Sequence, residues 1–453
     1  MTQSPLDNIF KAYDVRGTVP EQFNTNIARA VGVAFAEFVG TSRVLVARDM
    51  RPSGVDLVAA FGEGVMSRGV DVVDLGLAST DLLYFAAGSL DAPGAMFTAS
   101  HNPAQYNGIK FCLSGARAVG ADTGLDVIKK SAEKELASPN TSRPARGSYS
   151  AQDLLDKFAD HVVGFVNLQS LRPLKVVADT ANGMGGLVVP AVFERLPQLE
   201  LEVMFGELDG TFPNHPADPI QPANQRDLQA RVLSGGFDLG LAFDGDADRV
   251  FVVDELGVGL SGSTTTALLA AAVLRTNPGA KIIHNLICSR AVPEVIRERG
   301  GEPIRSRVGH SYIKQMMAET GAVFGGEHSA HYYFLNNYRA DSGLIAAMFV
   351  INEMCREGMA LSQVRIPFER YAASGEINTQ VRSPTDVINT VAKVFEAHPQ
   401  DWLDGLTVNC GSWWFNLRAS NTEPLLRLNL EAATRDDCDT HVAEVLSIVT
   451  SHS

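Results

Sequence analysis

The stretch Arg43–Leu75, RVLVARDMRPSGVDLVAAFGEGVMSRGVDVVDL, decides the fold. Arg43–Ala47 is a short continuous apolar run of the length of a buried strand. Gly54–Arg68 then reads as a helix, ended near Gly69, and Val70–Leu75 returns to a strand. Strand, helix and strand, with apolar strands, predict mostly parallel sheets covered by helices.

The same alternation extends in both directions along the chain. Ala95–Thr98 is a short strand ending in a polar loop. The Pro-, Ser- and Arg-rich stretch Ser138–Ser148 reads as a linker. Beyond it Lys175–Asp179 is a strand, a helix follows Gly185-Gly186, Asp238–Phe243 is a strand running into Asp244, and Val250–Val253 is another. A third cycle has helices at Thr264–Arg275, Ala291–Arg299 and Tyr312–Thr320, a strand at Lys281–His284, Ala322–Phe324 entering a glycine-rich loop, and a long apolar helix at Gly343–Arg356. The tail differs: Trp413–Leu417 and Leu425–Leu430 alternate like strands, and a helix starts at Arg435. The expected fold is α/β: three similar α/β domains with mixed, mostly parallel sheets, plus a smaller C-terminal α+β domain. The expected boundaries are 1–147, 148–254, 255–366 and 367–453. A chain of 453 residues needs several domains, because single cores stop growing near about 250–300 residues.

Apolar residues make up 45% of the chain and charged residues 20%, an ordinary globular balance. The net charge of −14 disfavours nucleic acid and anionic membranes as partners. The N-terminal segment shows no basic stretch followed by an apolar run. The longest apolar stretches, Ala267–Leu274 and Leu344–Ile351, are too short to span a bilayer. The cysteines at 112, 288, 355, 410 and 438 are scattered, without CxxC spacing, and read as reduced core thiols. A soluble cytoplasmic protein is the expectation.

Four segments carry chemistry. In Phe97-Thr98-Ala99-Ser100-His101-Asn102-Pro103 a strand ends at a serine in a loop stiffened by proline. Ser100 can be a nucleophile with His101 as base, or a covalent phosphate carrier. Lys110, on the next strand, can contact a phosphate or transfer a proton. Read alone, the segment is also an ordinary turn. In Asp244-Gly245-Asp246-Ala247-Asp248-Arg249 three carboxylates alternate, and extended backbone would point them to one side. Such crowding is costly without a cation, and hard oxygen ligands select Mg²⁺ or Ca²⁺. The bland alternative is a solvated acidic turn. An EF-hand is excluded, since the chain turns apolar at Val250.

In Gly325-Gly326-Glu327-His328-Ser329-Ala330-His331 two glycines free the backbone. Glu327 and Ser329 share a face if the segment is extended, which suits adjacent sugar hydroxyls. His310 and His331 are candidate proton-transfer groups, or simply satisfied histidines. Arg418-Ala419-Ser420-Asn421-Thr422-Glu423-Pro424 offers a guanidinium, hydroxyls and backbone N–H groups that suit a phosphate monoester, and reads otherwise as a polar loop.

Taken together and in this order, the four segments resemble the α-D-phosphohexomutase superfamily. Its signatures are a T-x-S-H-N-P loop, a D-G-D-x-D-R loop, a G-E-x-S loop and an R-x-S-N-T-E-P-type loop, found here at Thr98, Asp244, Gly326 and Arg418. The resemblance spans nearly the whole chain, including Tyr13-Asp14-Val15-Arg16-Gly17. It implies four domains around a central cleft, each supplying one loop. It implies that Ser100 carries the phosphoryl group and that Asp244, Asp246 and Asp248 hold Mg²⁺ with a phosphoserine oxygen. Arg16, Lys110 and Arg249 would surround the transferring phosphate, with His101 beside it. Glu327 and Ser329 would read sugar hydroxyls. Arg418, Ser420, Asn421 and Thr422 would hold the distal phosphate. Tyr13, His310 and His331 would position substrate or move protons.

The implied activity is exchange of a phosphate between the 1- and 6-positions of a hexose through a hexose 1,6-bisphosphate, in a monomer or homodimer with no nucleic-acid or membrane partner. His-Ser-Ala-His after Glu327 looks most like the bacterial phosphomannomutase/phosphoglucomutase branch, with glucose or glucosamine phosphates as alternative substrates. Two positions depart from relatives. Ala247 stands where many carry glycine, and is expected to face away from the ligands with little consequence. Ile287 stands where dual mutases can carry lysine. Rival readings are a phosphatase with a nucleophilic aspartate at Asp244 and a non-catalytic phosphosugar sensor.

Overall fold

The computed structural model describes residues 4–139, 146–419 and 425–451. The first sheet holds β1 (Val15–Thr18), β2 (Arg43–Arg48), β3 (Asp71–Leu77), β4 (Gly94–Phe97), β5 (Tyr106–Leu113), β6 (Arg117–Ala118) and β7 (Tyr149–Ala151). Its order is β1-β5-β4-β2-β3-β7, with β6 paired to β5. The centre, β4-β2-β3-β7, is parallel, and β1 and β5 run antiparallel at one edge. The second sheet, ordered β11-β10-β8-β9, is built from β8 (Leu174–Asp179), β9 (Leu199–Met204), β10 (Leu239–Phe243) and β11 (Val250–Asp254). The third, ordered β13-β12-β14-β15, uses β12 (Lys281–Asn285), β13 (Glu302–Ser306), β14 (Phe324–Gly326) and β15 (Tyr332–Phe334). In both, three strands are parallel and one edge strand is antiparallel.

The fourth sheet is antiparallel throughout. It comprises β16 (Ala372–Gln380), β17 (Gln400–Asp401), β18 (Leu406–Asn409), β19 (Trp414–Ala419) and β20 (Leu425–Ala432), in the order β16-β20-β19-β18-β17. The architecture is therefore three mixed, mostly parallel α/β sheets plus a C-terminal antiparallel sheet domain, as the strand–helix alternation predicts. Two details differ from the sequence reading. The first sheet takes in Tyr149–Ala151, which pairs with β3, so it runs past the boundary expected at 147. Gly325 and Gly326 lie in β14 and not in a loop. Their role is close packing: a Cβ at Gly326 would stand 2.4 Å from Thr266 Cγ2, and one at Gly325 would stand 2.8 Å from Ile313 Cγ2.

Local chemistry fixes the helix ends. In α1 (Thr25–Val39) the Asn24 side chain caps the start by accepting from Ile27 N, and Gly40, at φ 59°, closes the end. Helix α2 (Gly54–Met66) packs across α1 at backbone contact. Helix α3 (Thr80–Ser89) starts at the Ser79 cap and is buried along nearly all its length. One apolar core runs continuously from α3 through the second and third sheets, a second fills the α1/α2 side of the first sheet, and the C-terminal domain packs a core of its own. No helix among the described residues is long and apolar enough to cross a membrane.

The α1/α2 crossing depends on reciprocal glycines. A Cβ on Gly64 would lie 2.1 Å from Arg29 O, and one on Gly32 would lie 2.2 Å from Phe61 O. Alanine gains about 1 kcal/mol of helix propensity over glycine, but overpacking a close contact costs about 1–3 kcal/mol. Gly64→Ala is expected to lose about 1–2 kcal/mol of stability in a denaturant titration. A gain would show that the helices do not meet this closely.

Candidate active site

Ser100 lies three residues past the end of β4, and Asp244 directly follows β10. Each loop leaves the carboxyl end of a parallel strand, where crevices form in open α/β sheets. The Ser100 backbone is left-handed, φ 50°, which costs an L-residue about 1–2 kcal/mol. Its N–H donates to Thr98 Oγ1 at 2.9 Å, and its hydroxyl donates to Asp244 Oδ2 at 2.8 Å.

Asp244, Asp246 and Asp248 converge, each offering an oxygen within 4.8 Å of the others, and all three are buried. They converge by a turn and not by extended alternation: Ala247 sits at φ 61°. The expectation that Ala247 has little consequence is corrected here, because this is the one left-handed position of the loop 244–249 and an L-residue occupies it under strain. Gly343, at the start of the helix Gly343–Glu357, lets that helix press against the same loop; a Cβ there would meet Arg249 O at 2.8 Å.

Cations from two sheets answer the carboxylates. Lys110 Nζ donates to Asp246 Oδ2 at 2.7 Å and to Asp248 Oδ2 at 2.6 Å. Arg249 Nε donates to Asp244 Oδ2 at 2.9 Å. Burial alone would lower the Lys110 ammonium, but the two carboxylates hold it well above its ordinary value. Burial would likewise raise Asp246, and Lys110 and the Thr80 hydroxyl hold it below the usual carboxylate range. Asp244 is pushed up, by burial and by crowding from Asp246 and Asp248 despite Arg249.

Lys110 and Arg249 leave the three carboxylates one positive charge short of neutrality. Asp246 Oδ1 and Asp248 Oδ1 are buried without a hydrogen-bond partner. An all-oxygen donor set with orphaned carboxylate oxygens fits a hard divalent cation.

His101 Nδ1 accepts from Arg249 Nη2 at 2.6 Å and lies 3.2 Å from Ser100 Oγ. Burial, then Arg249 and Arg16, push the imidazole well below its ordinary value. Its lone pair is committed to Arg249, which suits holding the guanidinium better than taking a proton from Ser100. Arg16 Nη1 donates to Asn102 Oδ1 at 2.6 Å and its Nη2 pairs with Asp14.

The loop after β14 is a tight turn and not an extended segment: Glu327 N donates to His331 O, Ala330 N donates to Glu327 O, and Ala330 is at φ 66°. Glu327 and Ser329 therefore do not share a strand face. The Glu327 carboxylate accepts from Tyr333 OH at 2.6 Å, Asn285 Nδ2 at 3.1 Å and Gly309 N at 3.1 Å. Ser329 Oγ lies 3.2 Å from His331 Nδ1, and His331 Nε2 stands 3.6 Å from Asp248 Oδ1. His310 packs edge-on to Tyr13 and is pushed well below its ordinary value by burial and by Lys314. Tyr13 donates to Val308 O, and burial raises its hydroxyl to about 12. Ile287 is buried and lines a roughly 300 Å³ cavity between the third and fourth domains.

Ser100, His101, Lys110, the three aspartates, Arg249 and His331 thus form one cluster. Arg418 is set apart on β19, held by Glu376 Oε2 at 3.0 Å. Ser420, Asn421 and Thr422 lie outside the described residues.

Sequence reading missed Thr80, which donates from Oγ1 to Asp246 Oδ2 at 2.5 Å and from N to Asp246 O at 3.0 Å. It also missed Lys314, 2.7 Å from Asp341 Oδ1 and 3.5 Å above the Tyr84 ring. Ser79-Thr80-Asp81 signals a helix start and nothing more; its contact with the second domain has no sequence signature.

Comparison with known proteins agrees with this geometry. The descriptions "Phosphoglucomutase/phosphomannomutase, alpha/beta/alpha domain I", "II" and "III" match residues 7–138, 156–257 and 261–371, and the C-terminal domain of the same family matches 376–447. The chain is 40% identical over 431 residues to a phosphomannomutase of Escherichia coli K12, covering 93% of this chain and 94% of that one. It is 37% identical over 447 residues to a protein of Xanthomonas campestris named phosphohexose mutases, covering 97% and 98%. The crystal structure of a phosphoglucomutase/phosphomannomutase family protein from Burkholderia thailandensis superposes with a TM-score of 0.89 at 32% identity, covering 99% of this chain and 98% of that one.

The loop 205–221 adds a pH-sensitive clasp. His215 Nε2 lies 3.0 Å from Asp179 Oδ2 and its Nδ1 lies 2.9 Å from Pro216 O, so the protonated ring satisfies both. Asp179 raises the His215 value against the effect of burial. The loop carries Asp218, whose Oδ1 is 3.9 Å from Arg249 Nη1. The clasp contributes its full stability below about pH 6.5 and loses it as pH rises through the raised value. The stability difference between wild type and His215→Gln is therefore expected to be larger near about pH 6 than near about pH 9 in urea titrations. A difference independent of pH would remove the clasp.

Proposed function

The chain belongs to the phosphoglucomutase/phosphomannomutase family of α-D-phosphohexomutases, and from that premise we propose that it is a cytoplasmic phosphomannomutase. It interconverts mannose 1-phosphate and mannose 6-phosphate through phospho-Ser100 and a hexose 1,6-bisphosphate. One observation carries the proposal: the Ser100 hydroxyl meets Asp244 inside a buried three-carboxylate cluster that still has unpartnered oxygens. The mannose assignment is supported by the 40% identity to the Escherichia coli phosphomannomutase. The Xanthomonas relative's name, phosphohexose mutases, is in keeping with activity on more than one hexose phosphate.

In the proposed reaction the substrate's own phosphate rests on Arg418 and the loop that follows it. A free sugar hydroxyl attacks the phosphorus of phospho-Ser100. The new sugar O–P bond forms as the Ser100 Oγ–P bond breaks; Lys110 gives a proton to the departing Ser100 Oγ, and the hydroxyl proton passes to His331. The His331 ring keeps 18% of its side chain exposed and faces Asp248 and Asp341. Lys110, Arg249 and Arg16 balance charge on the phosphoryl oxygens. The bisphosphate then turns over, and the same steps in reverse return the other phosphate to Ser100.

Asp244, Asp246 and Asp248 would hold Mg²⁺, with an oxygen on Ser100 completing the set. The ion supplies charge neutralisation at the transferring group. Closure by the fourth domain would shield phosphoserine from water. In favour of this, that domain has its own core and meets the third through polar contacts such as Arg290 to Gly411 O, Asn409 Oδ1 and Trp413 O.

The decisive assay supplies Mg²⁺ and a trace of hexose 1,6-bisphosphate and compares mannose, glucose and glucosamine 1-phosphates by kcat/KM. Conversion with mannose preferred is expected. Release of free phosphate alone would indicate a phosphatase, and binding without reaction a sensor. Ser100→Ala should lose at least about 10³-fold in kcat while still binding sugar phosphate; normal turnover would end the covalent proposal.

Metal binding has a separate readout. At about 100 times its Kd, Mg²⁺ should stabilise the wild type by about 2.7 kcal/mol in denaturant titrations. Asp246→Asn should abolish that increment, and chelation should abolish turnover reversibly.

A further inference from the structure

The loop that carries Ser100 is held from its inner side by Arg51, which has no part in the steps above. Arg51 is fully buried. A guanidinium has five N–H donors, and here each has an acceptor. Nε donates to Asp49 Oδ2 at 3.2 Å, Nη1 to Pro103 O at 2.8 Å and Tyr106 O at 2.9 Å, and Nη2 to Ser100 O at 3.0 Å and Asn102 O at 2.6 Å. Four of these acceptors are main-chain carbonyls, three in the loop in which Ser100 takes φ 50° and the fourth on Tyr106, where that loop enters β5. Phe212 of the second domain covers the guanidinium, with Cζ 5.1 Å from the ring centroid.

A carbonyl oxygen facing a phosphate repels it. Arg51 gathers four such oxygens around one buried cation, while Ser100 Oγ is turned the other way, to Asp244 and Arg249. A lysine would keep the charge but not the planar fork that reaches four carbonyls.

We propose that Arg51 is a positioning residue for phosphoryl transfer: it holds the Ser100 loop in the left-handed geometry that aims Oγ, phosphorylated or free, at the Asp244–Arg249 cluster. This rests on Ser100 being the phosphoryl carrier. It places the effect of Arg51 on the transfer step and not on sugar-phosphate binding.

The test is Arg51→Lys in the full-length enzyme, with kcat and KM measured per folded molecule and Ser100 phosphorylation followed by intact mass. The expected result is a fall in kcat of about 100-fold, the scale of a misplacement of about 1 Å, with KM within about twofold. Phosphate lost to water per turnover should rise about tenfold, since a misaimed phosphoserine meets water as readily as substrate. A folded Arg51→Lys enzyme with wild-type kcat and wild-type phosphate loss overturns the proposal, as does a fall in activity that only tracks the unfolded fraction. Should Arg51→Lys not fold, Asp49→Asn removes the charge and leaves one acceptor oxygen where the carboxylate receives both Arg51 N and Nε, while the carbonyl contacts stay. It should lower kcat at least about threefold at constant KM, and a wild-type kcat there overturns the proposal. An active wild type with no phosphate on Ser100 overturns the carrier reading itself, and this inference with it.

Discussion

Three carboxylates are buried together where the first three domains meet, and the molecule is arranged around the cost of placing them there. A buried carboxylate is tolerated only when paired, hydrogen-bonded or bound to a cation. Asp244, Asp246 and Asp248 come from the second sheet. Arg249 of the same loop answers Asp244, and the other partners arrive from elsewhere: Lys110 from β5 and Thr80 from α3 in the first domain, and His331 from the third. No domain can satisfy the cluster alone. The same contacts that make the site tolerable therefore lock the three domains into one relative arrangement, and the continuous core beneath them reinforces it.

This coupling explains which parts of the site were visible in the sequence. The residues of the candidate site are clustered in short loops, so Ser100, the three aspartates and Arg418 announce themselves by type and spacing. The fold was legible for the same reason that strands such as Val44–Val46 are: buried parallel strands are apolar on both faces. What the sequence concealed is conformation and long-range support. Nothing about Ala247 says that it must adopt a left-handed backbone; alanine reads as neutral in any loop. Glu327 reads as a free carboxylate, yet Tyr333, Asn285 and Gly309 N occupy it from positions up to 42 residues away. Arg51 looks like a surface arginine in a Pro-containing turn, and its acceptors only appear once β2 and β5 are folded on either side of β4.

The two strained positions also have a common logic. Ser100 and Ala247 are left-handed residues in facing loops, and a Cβ on Gly245 would stand 2.4 Å from Ser100 O. The serine loop and the metal loop are in backbone contact, so neither can relax toward ordinary dihedrals without displacing the other. Strain of this kind persists only where the surroundings over-determine it. Here the surroundings are the buried ion pairs on one side and Gly343 with its helix on the other.

The fourth domain stands outside this lock, with a core shared with no neighbour. Evolution can therefore alter the two halves of the task at different rates. Substitutions inside the C-terminal sheet can alter that module without disturbing the buried charges held between the other three. A change in one module is thus insulated from the charge cluster that the other three hold together.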